Sequence, residues 1–373
     1  MKIISTHKRR LISQLFDRFF NLTAVRHLER KLILFRNISL KKSINIVQTG
    51  FYYITGASKI NTLPPLIKVE LSAACNLACT VCVHSNRDDL KGQKFNDKMD
   101  LSIFKQLVDE VKGTVFGLSL HYLGEAFLYP YIIDAIEYAR KNGLTTHIGS
   151  NFSYKISEKF MREIVNSGLT HLTVCVDGLS NETYQRTRVN GNIEVVIDNL
   201  KRLIDAKNRL KVGPYIEVQY IEFKHNSHEL RDAMKLFENL GVDAVATVRG
   251  SLHNYIDMHP DKYNIEEPLC KMKKPRCWWP WGSTTIKPNG DVIPCCTHRI
   301  GDQFVPGKNQ RTLGNINDTS FLEIWRNEAY QNARRLCLDP SLFDKEPELK
   351  EHFCYGCDRL FKTNKSENMR LYS

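Results

Sequence analysis

The segment Cys75-Asn-Leu-Ala-Cys79-Thr-Val-Cys82 directly follows the first strand-like run of the chain, residues 67–71. Three thiols on one loop can hold three irons of a [4Fe–4S] cube and leave the fourth iron open for a substrate or cofactor. A structural zinc site would need four ligands, and the nearby His84 is the alternative fourth ligand. Because C-x3-C-x2-C after a strand is not a usual zinc spacing, the segment favours an iron–sulfur cluster at the first strand end.

Strand-like and helical runs alternate along the chain downstream of this loop. The predicted strands are residues 67–71, 117–123, 146–149, 171–176, 215–221 and 243–248, and the predicted helices are residues 101–111, 131–141, 157–166, 193–206 and 228–240. Gly143, Gly168 and Gly241 follow three of these helices where a C-terminal cap is favoured. Asn226 and Glu229 resemble a capping box at the last helix. Six such strands predict an α/β fold with a parallel sheet, either open and doubly wound or a partial barrel, with functional groups at the C-terminal strand ends.

Proline, tryptophan and turn residues divide the chain into three parts. Pro64-Pro65 marks the start of the regular domain, and the alternation ends after Gly250. An Asn289-Gly290 turn then predicts a hairpin of residues 283–287 and 291–294, followed by a helix over residues 321–336. We expect a basic N-terminal segment over residues 1–63, an α/β domain over residues 64–265 and a small cysteine-rich hairpin and helix domain over residues 266–373.

Positive charge is concentrated at the N-terminal end of the chain. The net charge is +12, and the first 60 residues hold 12 Lys and Arg against Asp17 and Glu29. Because the rest of the chain is nearly neutral, no nucleic-acid partner is expected. Lys8-Arg9-Arg10 precedes an apolar helical stripe that suits either packing on the main domain or contact with an anionic membrane surface, formed by Leu11, Ile12, Leu15, Phe16, Phe19 and Phe20. No apolar run reaches the roughly 18 residues that span a bilayer.

Eleven cysteines fall into two groups that lie far apart in the sequence. Three are in the loop after the first strand, Cys175 stands alone, and seven lie between Cys270 and Cys357. Such a thiol content without an export signal predicts a reducing compartment, the cytoplasm. Two separate thiol groups imply two cofactors.

The cysteine loop and several strand-end segments resemble the radical S-adenosylmethionine (SAM) superfamily, whose fold is a partial (β/α)6 TIM-like barrel. Residues 122–130 are similar to its GGEP-type segment, with Leu123 in place of the first glycine and Ala126 in place of the proline. Residues 175–178 resemble its S-x-D-G segment. The resemblance implies cofactor contacts from Gly124, Glu125, Ser150, Asn151, Cys175, Asp177, Arg188 and Gln219. The alternatives are a surface acid for Glu125, a helix-end cation for Arg188 and a core position for Cys175.

The C-terminal cysteines resemble the twitch or SPASM-type extension of the same superfamily. Cys277 lies 18 residues before Cys295 with Gly290 between them, and Cys354-x-x-Cys357 follows. The resemblance implies that these four thiols hold one auxiliary [4Fe–4S] cluster, since no cysteine follows Cys357. A zinc ribbon is the alternative. The remaining thiols, Cys270, Cys296 and Cys337, are expected as substitute ligands, hydrogen donors or structural thiols.

The resemblance implies an enzyme that cleaves SAM reductively to a 5′-deoxyadenosyl radical and abstracts hydrogen from a substrate. A flavodoxin- or ferredoxin-type protein would supply the electron. We expect oxidation or epimerisation of a sugar, a cyclitol or a lipid-linked sugar, with His121, Glu217 or Arg249 as the candidate base. The alternatives are modification of a ribosomally made peptide or protein, and a zinc-stabilised binding protein without activity.

Overall fold

The structure is a computed structural model that describes residues 39–80, 82, 97–250, 277–296, 311–355, 357, 360–363 and 369–371. The N-terminal stripe over residues 8–20, His84 and Cys270 lie outside the described residues. Strands are β1 (Leu66–Val69), β2 (Gly117–Ser119), β3 (Thr145–Ser150), β4 (His171–Val176), β5 (Tyr215–Glu222), β6 (Ala244–Arg249), β7 (Ser283–Ile286), β8 (Asp291–Ile293), β9 (Gly314–Asn315), β10 (Phe361–Thr363) and β11 (Met369–Leu371). Helices are α1 (Leu40–Thr55), α2 (Leu101–Val111), α3 (Ile132–Lys141), α4 (Glu158–Asn166), α5 (Asn181–Tyr184), α6 (Ile193–Leu210), α7 (Leu230–Leu240), α8 (Trp279–Gly282), α9 (Phe321–Arg326), α10 (Glu328–Leu338) and α11 (Leu342–Lys345).

Nine strands form one sheet in the order β6-β5-β4-β3-β2-β1-β7-β8-β9. Strands β1 to β6 pair in parallel with their sequence neighbours, and helices occur in the connections between them. This arrangement confirms the expected α/β class, a partial TIM-like barrel with a C-terminal cysteine-rich part.

Alternation along the strands separates an apolar face from a polar one. On β4, Leu172, Val174 and Val176 are fully buried in the hydrophobic core that the helices cover. His171 and Thr173 occupy the alternate positions and face the barrel lumen. Since side chains point to opposite faces with a period of two, the core lies outside the barrel wall and the polar groups line its inside.

Helix α2 begins and ends as the sequence predicts. Asp100 caps it by accepting a hydrogen bond from the Ser102 N–H at 2.7 Å. Its inward stripe of Phe104, Leu107 and Val111 is buried.

The C-terminal hairpin extends the barrel sheet. Strand β7 pairs in parallel with β1 over four residue pairs, and β8 pairs antiparallel with β7. The predicted turn is confirmed, with Gly290 at φ 88°. The Trp325 Nε1–H donates to the Thr62 carbonyl at 2.9 Å, and Arg334 donates to the Ser58 carbonyl at 3.0 Å. The hairpin and helices therefore share one hydrogen-bonded framework with the barrel.

Two local predictions are wrong. The single helix expected over residues 321–336 is broken into α9 and α10 at Asn327, whose side chain accepts from the Tyr330 N–H and so starts a new helix. Asn226 does not cap α7. It is buried, and its amide donates to the carbonyls of Asp177 and Ile221 instead.

Candidate active site

The cysteine loop after β1 is hydrogen-bonded to the segment that follows β4. The Ala78 N–H donates to the Val189 carbonyl, and the Thr80 N–H donates to the Thr187 carbonyl, both at 3.0 Å. These two backbone bonds hold the loop with Cys75, Cys79 and Cys82 over the C-terminal strand ends. The C-terminal ends of the strands are where barrel enzymes carry their active sites, and the loop lies there, as expected from the sequence.

Burial disfavours the charged form of the loop thiols. It raises the pKa of Cys75 to about 11 and also raises the pKa of Cys79. The Arg188 guanidinium hydrogen-bonds to Cys79 and opposes that rise. Among the described residues no three side chains of metal-ligating type form a ready-made cage. The fit to a cluster therefore rests on the donor set, since three thiols on one loop beside a cation suit a site that must release thiol protons to bind iron.

Glu125 organises the end of β3. Its carboxylate is 2% exposed and accepts from the Ser150 hydroxyl and the Asn151 N–H, both at 2.8 Å. It also accepts from the Phe127 N–H at 3.3 Å, which caps the 3-10 helix Ala126–Leu128. The alternative of a surface acid is wrong, because burial raises the pKa of Glu125 and its oxygens bind donors from two elements.

Glu70 is a second buried carboxylate at this edge, and no motif in the sequence predicted its role. One oxygen accepts from the N–H groups of Leu123 and Gly124 at 2.8 and 2.9 Å. A Cβ on Gly124 would lie 2.1 Å from the Ser72 carbonyl oxygen, so only glycine permits this close approach. Glu70 and Gly124 thus fix the backbone of the GGEP-like segment against β1.

Asp177 and Arg188 form a buried ion pair after β4. Arg188 Nε donates to Asp177 Oδ2 at 2.6 Å, and the Asp177 side chain is inaccessible. The other oxygen, Asp177 Oδ1, has no hydrogen-bond partner among the described residues. A buried acceptor left over at the strand ends fits a site that receives a polar ligand such as SAM. The helix-end alternative for Arg188 is wrong, since its guanidinium also reaches Cys79 and Cys175.

His121, one of the candidate bases, lies just beyond the end of β2 in the lumen. Its Nδ1 accepts from the Gly149 N–H at 2.8 Å. Since a backbone N–H only donates, Nδ1 carries no proton in this arrangement, and Nε2 carries the ring hydrogen. The His121 ring meets the His147 ring edge to face at 4.8 Å.

The row of polar side chains that begins with His121 continues across β3, β4 and β5. His147 Nε2 lies 2.9 Å from the Thr173 hydroxyl, and the rings of His147 and His171 stack at 4.4 Å. The Thr173 hydroxyl donates to Glu217 Oε1 at 3.5 Å, and His171 Nε2 lies 3.8 Å from Glu217 Oε2. Two of the three candidate bases, His121 and Glu217, are therefore joined through histidines that sequence reasoning did not single out.

The remaining candidates lie at other places on the sheet. The Cys175 thiol, on the luminal side of β4, donates to Gln219 Oε1 at 3.9 Å. Arg249 is exposed at the end of the edge strand β6. Lys68 on β1 also faces the lumen, where burial lowers its pKa while Cys296 and Glu70 oppose that shift. The lumen thus contains cationic, anionic and neutral hydrogen-bonding groups.

The C-terminal thiols gather around α10. Hydrogen bonds to Cys277 and Cys354 raise the pKa of Cys337, which is buried on that helix. Cys295 and Cys354 lie near the buried Tyr330 hydroxyl. Cys337 therefore stands among the thiols expected to hold the auxiliary cluster.

Two family models match the chain: the radical SAM superfamily over residues 69–216 and the SPASM iron–sulfur cluster-binding domain over residues 277–358. The chain belongs to the radical SAM superfamily and carries a SPASM-type domain at its C-terminal end. Its cofactors are a [4Fe–4S] cluster, SAM and an auxiliary iron–sulfur cluster. This assignment replaces the alternative of a zinc-stabilised binding protein.

The proteins that are similar to this chain have names that refer to different reactions. The chain is 24% identical to a tungsten-containing aldehyde ferredoxin oxidoreductase cofactor-modifying protein of Pyrococcus furiosus, over 74% of this chain and 87% of that protein. It is 22% identical to an AdoMet-dependent heme synthase of Methanosarcina barkeri, over 79% and 91% of the two chains. The structure of SuiB from Streptococcus suis bound to SAM superposes with a TM-score of 0.58 at 15% identity, over 87% and 80%.

Proposed function

We propose that this enzyme oxidises or epimerises a hydroxylated small molecule of the sugar or cyclitol type inside the barrel. The observation that carries the proposal is the polar lumen formed by Lys68, His121, His147, Thr173 and Glu217. The lumen of a closed (β/α)8 barrel is usually filled by bulky branched side chains. Hydrogen-bonding groups in their place suit a substrate rich in hydroxyl groups.

Bound SAM and the clusters supply a radical that removes hydrogen from a C–H bond and an acceptor for the electron that remains on the carbon. The chain's own residues must then take the hydroxyl proton, so that the carbinol becomes a carbonyl. Glu217 is the proposed base, because its buried carboxylate is oriented by Thr173 and His171. His171 and His147 then connect that carboxylate to His121 at the strand ends.

The first test is an anaerobic assay of the reconstituted enzyme with reductant, SAM and a panel of cyclitols, amino sugars and lipid-linked sugars. The expected result is 5′-deoxyadenosine above the substrate-free background, with a new carbonyl product. Deuterium from D2O at the reacting carbon would instead identify the epimerase. A peptide panel run in parallel stimulates 5′-deoxyadenosine formation only if the peptide-modifying alternative is correct, which would overturn the proposal.

The second test is Glu217→Gln, which keeps the shape of the side chain and removes its basicity. We expect product formed per 5′-deoxyadenosine to fall about 100-fold or more, in the range typical of a lost general base. Glu222→Gln, the same change farther along β5, is the matched control and keeps the wild-type ratio. An unchanged ratio in Glu217→Gln would show that the base lies elsewhere.

The thiols also bear on the compartment. None of the ten described cysteines is in a disulfide, which supports a reducing, cytoplasmic environment. We propose a flavodoxin- or ferredoxin-type protein as the electron donor.

A further inference from the structure

Helix α1 buries polar side chains and exposes apolar ones, which is the opposite of the usual pattern for a helix on a protein surface. Its buried side chains are polar: Lys42, Asn45 and Thr49. Its exposed face carries five large apolar side chains, Leu40 at 77%, Ile44 at 48%, Val47 at 72%, Phe51 at 62% and Ile54 at 77% exposure. Their spacing of four, three, four and three residues places them on one continuous stripe. This apolar stripe is the surface that needs an explanation.

Specific contacts on the buried side fix the rotation of the helix. The Asn45 amide donates to the Leu63 carbonyl at 2.8 Å, and its oxygen accepts from the Leu63 N–H at 3.0 Å. Lys42 Nζ donates to the Gly143 carbonyl at 2.7 Å. The Tyr53 ring packs edge to face on Trp278 at 4.9 Å. Turning α1 to hide its stripe would break these contacts and leave polar groups buried without partners, so the stripe is held outward.

The charge of the N-terminal sequence indicates what contacts the apolar stripe. Helix α1 contains no acidic residue, and the first 60 residues hold 12 Lys and Arg against two acids. An apolar helical face that follows a strongly cationic stretch of sequence matches a lipid surface with anionic headgroups. No helix among the described residues is long and apolar enough to cross a membrane. We propose that α1 lies in the plane of an anionic bilayer and inserts the stripe of Leu40, Ile44, Val47, Phe51 and Ile54 at the boundary between headgroups and acyl chains.

The test is co-sedimentation of the full-length reconstituted enzyme with vesicles of phosphatidylcholine alone or with about one third phosphatidylglycerol. We expect binding to the anionic vesicles that weakens as salt is raised. Val47→Ser combined with Phe51→Ser should lower that binding at least tenfold. Leu210→Ser combined with Val212→Ser removes two other exposed apolar side chains, 44% and 45% exposed, and should bind as the wild type does.

Two further measurements separate the other occupants of the stripe. If the stripe faces lipid, the Val47 and Phe51 variant keeps the wild-type thermal midpoint and the wild-type mass in solution. A fall in the midpoint with vesicle binding unchanged would show that another part of the chain covers the stripe. A change from dimer to monomer would show that a second copy covers it. Either result, or wild-type vesicle binding by the variant, overturns the proposal. SAM cleavage measured on the same samples keeps this test separate from the proposed function.

Discussion

Glu70 combines burial with strong local hydrogen bonding at the end of β1. Burial raises its pKa to about 7, while the N–H groups of Leu123 and Gly124 act against that rise. Lys68 and Lys287 face the same carboxyl group and also favour its charged form. Burial is the larger effect, so the native state holds a proton that the unfolded chain releases near pH 4.5.

This difference predicts a pH-dependent stability. Between about pH 4.5 and about pH 7 the unfolded state binds fewer protons than the native state, so the free energy of unfolding falls as pH rises and then levels off. The expected change from Glu70 is about 3 kcal/mol. In Glu70→Gln the amide oxygen still accepts both N–H groups, so the variant should lack this fall. Urea unfolding from pH 5 to pH 8 measures it.

Glu137→Gln changes an exposed carboxyl group on α3 and is the control for that series. It should reproduce the wild-type slope. Parallel curves for the wild type and Glu70→Gln would mean that Glu70 is already ionised in the native state at pH 5.

At the scale of single elements, α10 carries the thiol whose role the spacing pattern left open. Cys337 contacts Cys277 and Cys354, yet the SPASM-type spacing assigns the cluster ligands to Cys277, Cys295, Cys354 and Cys357. We predict that Cys354→Ala lowers iron from about eight to about four per chain, whereas Cys337→Ser keeps about eight. Iron and sulfide analysis after anaerobic reconstitution measures this, with SAM cleavage retained in both variants. About four irons in Cys337→Ser would place Cys337 among the ligands.

The sequence predicted elements well where local signals act alone. Helix α2 was predicted with its observed bounds because an apolar stripe marks it, and the structure shows that Asp100 caps its start. The break at Asn327 was missed, since a side-chain cap inside a continuous amphipathic pattern looks like an ordinary polar position. Asn226 was misread because its partners, the carbonyls of Asp177 and Ile221, are supplied by the tertiary fold.

In the candidate site, too, residues with a local sequence signal were predicted and residues that depend on the tertiary fold were not. The cysteine loop and Glu125 were found because their spacing along the chain is distinctive. His147 and His171 were missed because their importance lies in the register between strands, which pairs these two residues across β3 and β4. A single sequence gives the period of each strand and not that register. Polar residues at alternate positions of successive buried strands were the available signal.

At the scale of the whole molecule, the barrel and the SPASM-type part share a sheet through β1 and β7. All four tryptophans lie between residues 278 and 325, so their fluorescence reports on the C-terminal part, whereas far-UV circular dichroism reports mainly on the barrel helices. We predict that the two signals follow one coincident urea transition, because unpairing β7 would expose the edge of β1. Two separated midpoints would show that the parts unfold independently.

The shared sheet also bears on how electrons move through the protein. Cys75 follows the end of β1 by six residues, Cys295 follows the end of β8 by two, and β7 lies between these strands. The two thiol groups are therefore attached to strands of one hydrogen-bonded sheet. Tunnelling between redox centres falls steeply with distance. In this protein β8 runs antiparallel to β7, so Cys75 and Cys295 follow opposite edges of the shared sheet, and that distance is set by the length of the strands rather than by the spacing between them.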